Sequence, residues 1–154
     1  MNKLKRLFKT VSIDVRVYRM TQIPAVSLGD LPYRVSQSAH GNDVCYEISD
    51  NGTFVHRSFL YQRLRVLSLL GKVGPAIGNC VTSEAYRGQS IYPKMIAKIA
   101  TETLTAGEKE VFIIVNTDNI ASIRGIEKAG FDLFATVKAK RFLLFYFDKT
   151  ITRT

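Results

Sequence analysis

Cysteine is scarce: Cys45 and Cys80 are the only two in 154 residues, so at most one bridge can form and a disulfide scaffold is excluded. Both read as free thiols in a reducing compartment. Long apolar runs are also missing. The longest, at 142–147, falls far below the ~20 residues that span a bilayer. No secretory leader is legible, because Asp14 and Arg16 interrupt the apolar residues after Thr10. These absences predict a cytoplasmic protein that reaches a membrane only from its surface. There is no GxGxxG and no Gly-Lys-Ser/Thr, which removes the dinucleotide fingerprint and the P-loop. No His, Cys, Asp and Glu cluster has metal-ligand spacing, and no nucleophile with a nearby base is readable. Without repeats, low-complexity segments or a linker, the chain reads as one domain over residues 1–154.

What is present begins with a basic amphipathic segment at residues 1–11, where Leu4, Leu7, Phe8 and Val11 fall at helical spacing and Lys3, Lys5, Arg6 and Lys9 lie mostly elsewhere. It either anchors on an anionic surface or packs on the domain with its basic side solvated; the ten residues from Asn2 to Val11 are short for an independent helix, which favours the second. Residues 12–20 alternate Ile13, Val15 and Val17 with Ser12, Asp14 and Arg16, the pattern of a half-buried strand. From 21 to 43, around Pro24, Gly29, Pro32 and Gly41, no helical period emerges. Strands at 45–48 and 53–61 are joined through Asp50-Asn51-Gly52, a strong hairpin signal. Residues 63–70 extend the sheet or form a helical turn. The density of Gly71, Gly74, Pro75 and Gly78 predicts an irregular approach to the strand at 76–82.

Residues 91–105 place Ile91, Tyr92, Met95, Ile96, Ile99 and Ala100 on one half of a helical wheel, so one face packs on a sheet. Gly107 ends this helix. The continuously apolar 111–115 then reads as a strand buried on both sides, and strand, helix, strand in this order is a parallel crossover. Asp118 or Asn119 caps a helix at 120–128, with Gly130 past its end. Gly125 inside it costs ~1 kcal/mol relative to alanine, a cost that a close approach to the sheet or to a ligand would explain. Two further antiparallel strands are expected at 131–137 and 141–147.

The chain is organised around Thr82-Ser83-Glu84-Ala85-Tyr86-Arg87-Gly88-Gln89-Ser90-Ile91-Tyr92-Pro93, where a strand ends, a basic turn follows and a helix begins. Ser90 suits an N-cap and Pro93 a first helical turn. Such a helix start leaves unpaired N–H groups with a partial positive charge, ready for an anion. Tyr86-Arg87-Gly88, with Ser90 and Tyr92 at two small-residue positions, resembles the acyl-CoA signature of the GNAT N-acetyltransferase superfamily. A second stretch, Val115 to Phe131, is similar to that family's segment at Asn119, Ser122, Ile126, Glu127, Lys128, Gly130 and Phe131. The two resemblances stand in the family's order.

The resemblance implies a GNAT-like α/β fold with a mixed, mostly antiparallel twisted sheet flanked by helices. It implies an acetyl-CoA-dependent N-acetyltransferase acting on a small primary amine, an amino sugar first, with a protein N-terminus, a polyamine or an antibiotic as other acceptors. By the same resemblance, backbone amides from Arg87 through Gly88, Gln89, Ser90 and Ile91 to Tyr92 hold the pyrophosphate. Main-chain groups of Val81 and Thr82 pair with the pantetheine arm, the Asn119 side chain meets that arm, and Ser122 either lies near the thioester sulfur or bonds within its own helix. Tyr92 is expected to pack under the helix.

Proton transfer is less legible. The position where many family members carry a tyrosine is Ile126, and the strand before Thr82 has no Asp or Glu after Gly71. His56, Glu84 or a relayed water is left as the base, although a lone histidine on a strand is more often structural. The formal net charge of +9, from 22 Lys and Arg against 13 Asp and Glu, suits coenzyme A, an anionic membrane or nucleic acid. The nucleic-acid reading has no recognition motif and is set aside. The rival reading is a non-catalytic acyl-CoA-binding or membrane-associated regulatory module; a homodimer is left open.

Overall fold

Period-2 and period-3.6 patterns become eight strands and two helices among residues 8–154, which the computed structural model describes. In chain order they are β1 (Val11–Met20), β2 (Val35–His40), β3 (Asp43–Asp50), β4 (Thr53–Tyr61), β5 (Ala76–Thr82), α1 (Ile91–Thr105), β6 (Val111–Asn116), α2 (Ile120–Lys128), β7 (Asp132–Phe142) and β8 (Phe145–Arg153). All eight strands form one sheet in the order β2-β3-β4-β5-β6-β1-β7-β8. Only β5 and β6 pair in parallel; every other neighbour is antiparallel. The expected α/β fold with a mixed, mostly antiparallel sheet is therefore present.

The Asp50-Asn51-Gly52 turn forms as the sequence predicts, with Asn51 at φ 47° and Gly52 at φ 81°, the left-handed pair that a tight hairpin requires. The β5–α1–β6 crossover also forms. Its helix buries Ile91, Met95, Ile96, Ile99 and Ala100 against Ile48, Val55, Ile77 and Ile113 on the sheet. Helix α2 buries Ile123 and Ile126 on the same side. The opposite face carries a second core of Val15, Val17, Phe112, Ala135 and Val137 under Leu67 and Leu70, which belong to a 3₁₀ turn over Arg65–Leu70. The ambiguous stretch at 63–70 thus includes a helical turn.

Other boundaries differ from the sequence expectation. Of the basic amphipathic segment, residues 1–7 lie outside the described residues, and Val11 opens a strand instead of closing a helix. The stretch from 21 to 43 holds an unforeseen strand, β2, because its Val-Ser-Gln-Ser-Ala-His sequence is an exposed, mostly polar sheet edge. The last hairpin turns at Leu143 and Leu144, not near residue 139, because Lys138 and Lys140 stay in register with Asp14 and Ser12 of β1. None of the described helices is long and apolar enough to cross a membrane.

Candidate functional site

Strands β5 and β6 separate almost as soon as they pair. Their register holds only at Ala76 with Phe112 and Ile77 with Ile113. Beyond it, β5 stays bonded to β4 through Val81 and Thr82, and Asn79 takes φ 51°, a local irregularity of the kind the glycine-rich approach announced. The edge of β5 facing β6 therefore keeps backbone N–H and C=O groups without a sheet partner. The gap is a cleft of about 340 Å³ lined by Gly78, Asn79, Cys80, Tyr92, Asn116, Asn119 and Ser122, among others.

At the same end of the sheet, α1 begins without a side-chain cap. Ser90 stands at the N-cap position in the left-handed region at φ 58°, and its hydroxyl accepts from Lys128 Nζ at 2.7 Å. The expectation that Ser90 suits an N-cap is corrected in this respect: its position is right, but its side chain has turned to a lysine. The first-turn N–H groups consequently keep their positive potential. A second hollow of about 260 Å³ adjoins them, lined by Thr82, Tyr86, Arg87, Gly88, Ser90, Ile91, Tyr92, Pro93, Ala121 and Gly125. The turn before it is pinned from several sides. Arg87 Nε donates to the Thr82 carbonyl at 3.3 Å, Tyr86 donates to Asp50 at 3.3 Å, and Tyr33 donates to Gln89 at 3.3 Å.

Tyr92 borders both hollows. Its ring lies over Gly125, where an added Cβ would come within 2.7 Å of Cδ1 and 2.9 Å of Cε1. This is the close approach that explains a glycine inside α2. Burial raises the Tyr92 phenol well above its ordinary range, the nearby Cys80 thiol adds to the rise, and the Ser122 hydroxyl opposes it. At neutral pH the group is a protonated donor.

His56 is fully buried on β4, with its ring 6.3 Å from that of Tyr92. The Ser58 hydroxyl donates to Cys80 Sγ at 3.1 Å and accepts from His56 Nε2 at 2.7 Å, which leaves Nδ1 to accept from the Thr82 hydroxyl at 2.7 Å. The Cys80 thiol donates to the Gly78 carbonyl at 3.6 Å. Burial lowers the imidazole to about 4 and raises the Cys80 thiol to about 11. At neutral pH His56 is thus an uncharged ring with both nitrogens engaged.

Most of the sequence-predicted residues converge on these two hollows, while His56, Val81, Glu84 and Gln89 line neither. Thr82, Arg87, Gly88, Ser90, Ile91 and Tyr92 line the helix-start hollow, and Asn119 and Ser122 line the cleft. Gln89 is exposed in the turn, and Val81 is exposed on β5 beside it. Asn119 Oδ1 is occupied as the cap of α2, accepting from Ser122 N at 3.2 Å. Glu84 is exposed in the short 3₁₀ turn Glu84–Tyr86. Ile126 is buried in the core, while Glu127 accepts from Tyr18 at 2.8 Å and ties α2 to β1. Sequence reasoning passed over Ser58, Asn79 and Cys80. Ser58 was accessible to it, since two residues along a strand put its side chain on the face of His56. Among the described residues, no group of His, Cys, Asp or Glu could hold a metal ion.

No protein-family model and no curated protein sequence matches the chain. Solved structures do. A GNAT-family acetyltransferase from Colwellia psychrerythraea superposes with a TM-score of 0.57 at 13% identity, over 81% of this chain and 54% of that one. A putative acetyltransferase of the GNAT family from Novosphingobium aromaticivorans superposes with a TM-score of 0.59 at 14% identity, over 94% of this chain and 68% of that one. The chain thus spans about half the length of the first protein and two thirds of the second. The fold of this chain is that of the GNAT acetyltransferases.

Proposed function

We propose that this chain is an N-acetyltransferase that moves an acetyl group from acetyl-CoA to a primary amine of a small molecule, an amino sugar being the first class to test. The observation that carries the reading is the splayed β5–β6 cleft opening beside an uncapped helix start. That pairing offers a strand edge to an amide-bearing arm and unpaired N–H groups to a pyrophosphate. Arg87 and Lys128 add positive charge at the mouth. Acetyl-CoA supplies an acyl group already activated as a thioester.

Within this reading, Tyr92 takes the place of the acid missing at Ile126, reaching the cleft from α1 instead of α2. Amide formation makes a C–N bond and breaks a C–S bond; the proton that the nitrogen sheds as it becomes an amide reaches the departing thiolate sulfur through the Tyr92 phenol, which gives one proton and takes one back and so ends as it began. No Asp, Glu or His lines the cleft, so the amine loses its proton to water and reacts as the free base. Tyr92→Phe should lower kcat by roughly 100-fold or more while acetyl-CoA affinity stays within about twofold. An unchanged kcat would remove Tyr92 from proton transfer.

The missing base also favours a second reading, a non-catalytic acyl-CoA-binding module. Calorimetric titration with acetyl-CoA, followed by a thiol-release assay with amines, separates the two. Arg87→Glu should weaken acetyl-CoA about tenfold by reversing one charge near the phosphates, with thermal stability unchanged because Arg87 is exposed. Binding without thiol release for any amine class would favour the module; no binding at all would end both readings.

A further inference from the structure

The end of the sheet that carries the cleft also carries a feature that acyl transfer does not use. Strand β1 is antiparallel to both β6 and β7, so β7 runs in the same direction as β5 and β6 and its final turn lies at their carboxyl ends. That turn exposes Phe142, Leu143, Leu144, Phe145 and Phe147, with Leu144 61% and Phe145 72% accessible. The cross-strand pairs Phe142 with Phe145 and Lys140 with Phe147 set the three phenylalanines on one face of the hairpin, and the two leucines cap its tip. Five apolar side chains at a tip are not a core in need of packing, since Tyr146 and Ile151 already pack inward with the second core.

Charge surrounds this patch. Lys140, Lys149 and the half-buried Arg141 flank it, and the only carboxylate among them, Asp148, is held by Lys140 at 3.1 Å. Val11 pairs with Arg141, so the chain enters the sheet beside the hairpin. The exposed Phe8 and Lys9 lie just before that point, and Lys3, Lys5 and Arg6 precede them in the sequence. We infer that the β7–β8 hairpin docks on an anionic lipid surface, with Leu143, Leu144 and Phe145 entering the headgroup boundary and the flanking cations facing lipid phosphates or carboxylates.

Charge favours lipid over a second copy of the chain. The cations would face the same cations across a two-fold axis, whereas apolar area plus basic charge is what interfacial lipid binding uses. The inference is independent of the acetyl-transfer reading.

The test is sedimentation of the full chain with phosphatidylcholine vesicles, with and without phosphatidylglycerol. Binding should require the anionic lipid and weaken with salt. The double variant Leu144→Ser, Phe145→Ser should bind at least tenfold more weakly with an unchanged melting temperature. The chain has no tryptophan, so Phe145→Trp supplies a single reporter whose emission should shift to the blue on anionic vesicles and be quenched by brominated acyl chains. No binding by the full chain, equal binding to neutral vesicles, or a reporter emission that ignores the vesicles would overturn the inference. A concentration-dependent dimer abolished by the double variant would overturn it too, assigning the hairpin to self-association.

Discussion

Replacing Gly125 with alanine should destabilise the protein and disable the proposed transfer, although alanine is the better helix former by ~1 kcal/mol. The added methyl would stand 2.7 Å and 2.9 Å from two carbons of the Tyr92 ring and 3.9 Å from Pro93 Cδ. Ile91, Pro93, Met95 and Ile96 around it are buried and hold the backbone of α1 in place, so the ring can yield only by turning off its present rotamer into the hollows that flank it. Overpacking of this kind costs about 1–3 kcal/mol. It exceeds the propensity gain, and a fall in melting temperature of several degrees is expected. A displaced ring also leaves the cleft, so on the proposed reading thiol release with acetyl-CoA and an amine acceptor should fall by about 100-fold, the lower end of the loss expected from removing the phenol.

A double-mutant cycle makes this sharp. In a Tyr92→Ala background the obstruction is gone, and Gly125→Ala should then stabilise by about 1 kcal/mol, reversing its sign. Transfer should not recover, because the phenol is absent. Denaturant melts of the four proteins measure the coupling; the same sign in both backgrounds would show that the ring does not depend on that glycine.

What the sequence could reveal here was set by the range of the forces involved. The Asn51-Gly52 turn is decided by backbone sterics of two residues, and the β5–α1–β6 crossover by the apolar period of single segments; both are local and both were legible. The position of β1 was not. Alternating Ile13, Val15 and Val17 announce a strand, but nothing in them states that it inserts between β6 and β7, which long-range pairing decides. Strand β2 escaped notice because an exposed edge carries no apolar period, and β7 ran past its expected end because Lys138, Lys140 and Arg141 keep backbone partners whatever their side chains do.

The same division runs through the site. Arg87, Gly88, Ser90 and Asn119 could be picked out because turn and cap positions have residue preferences. That Ser90 would leave its helix for Lys128, 38 residues later, was not written locally, nor was the meeting of Tyr92 with Gly125. Both are contacts between α1 and α2, and each alters what the helix start can do: the first leaves its N–H groups free, the second aims a phenol at the cleft.

Buried neutral histidine gives the other large effect, on stability against pH. His56 is lowered from 6.5 to about 4 by burial. Above pH 6.5 the ring is uncharged in both folded and unfolded chains and stability is fully present. As pH falls below 6.5 the unfolded chain takes up a proton that the folded chain refuses, so stability declines until the folded ring itself titrates near 4. The loss from this one group should reach about 2 kcal/mol at about pH 5 and about 3 kcal/mol at about pH 4. His56→Gln keeps hydrogen-bonding capacity toward Thr82 and Ser58 but cannot titrate. It should be less stable than the parent at neutral pH, where it replaces two good bonds with poorer ones, and the gap should close as pH falls because only the parent carries the proton-linked cost. Carboxylates titrate alike in both proteins and cancel in the difference. Urea melts of the pair at steps from about pH 7 down to about pH 4 measure it directly. Parallel curves would mean that His56 is not held neutral, and the chain from Thr82 through His56 and Ser58 to Cys80 would then need the opposite donor order, with a charged ring giving a proton to both hydroxyls.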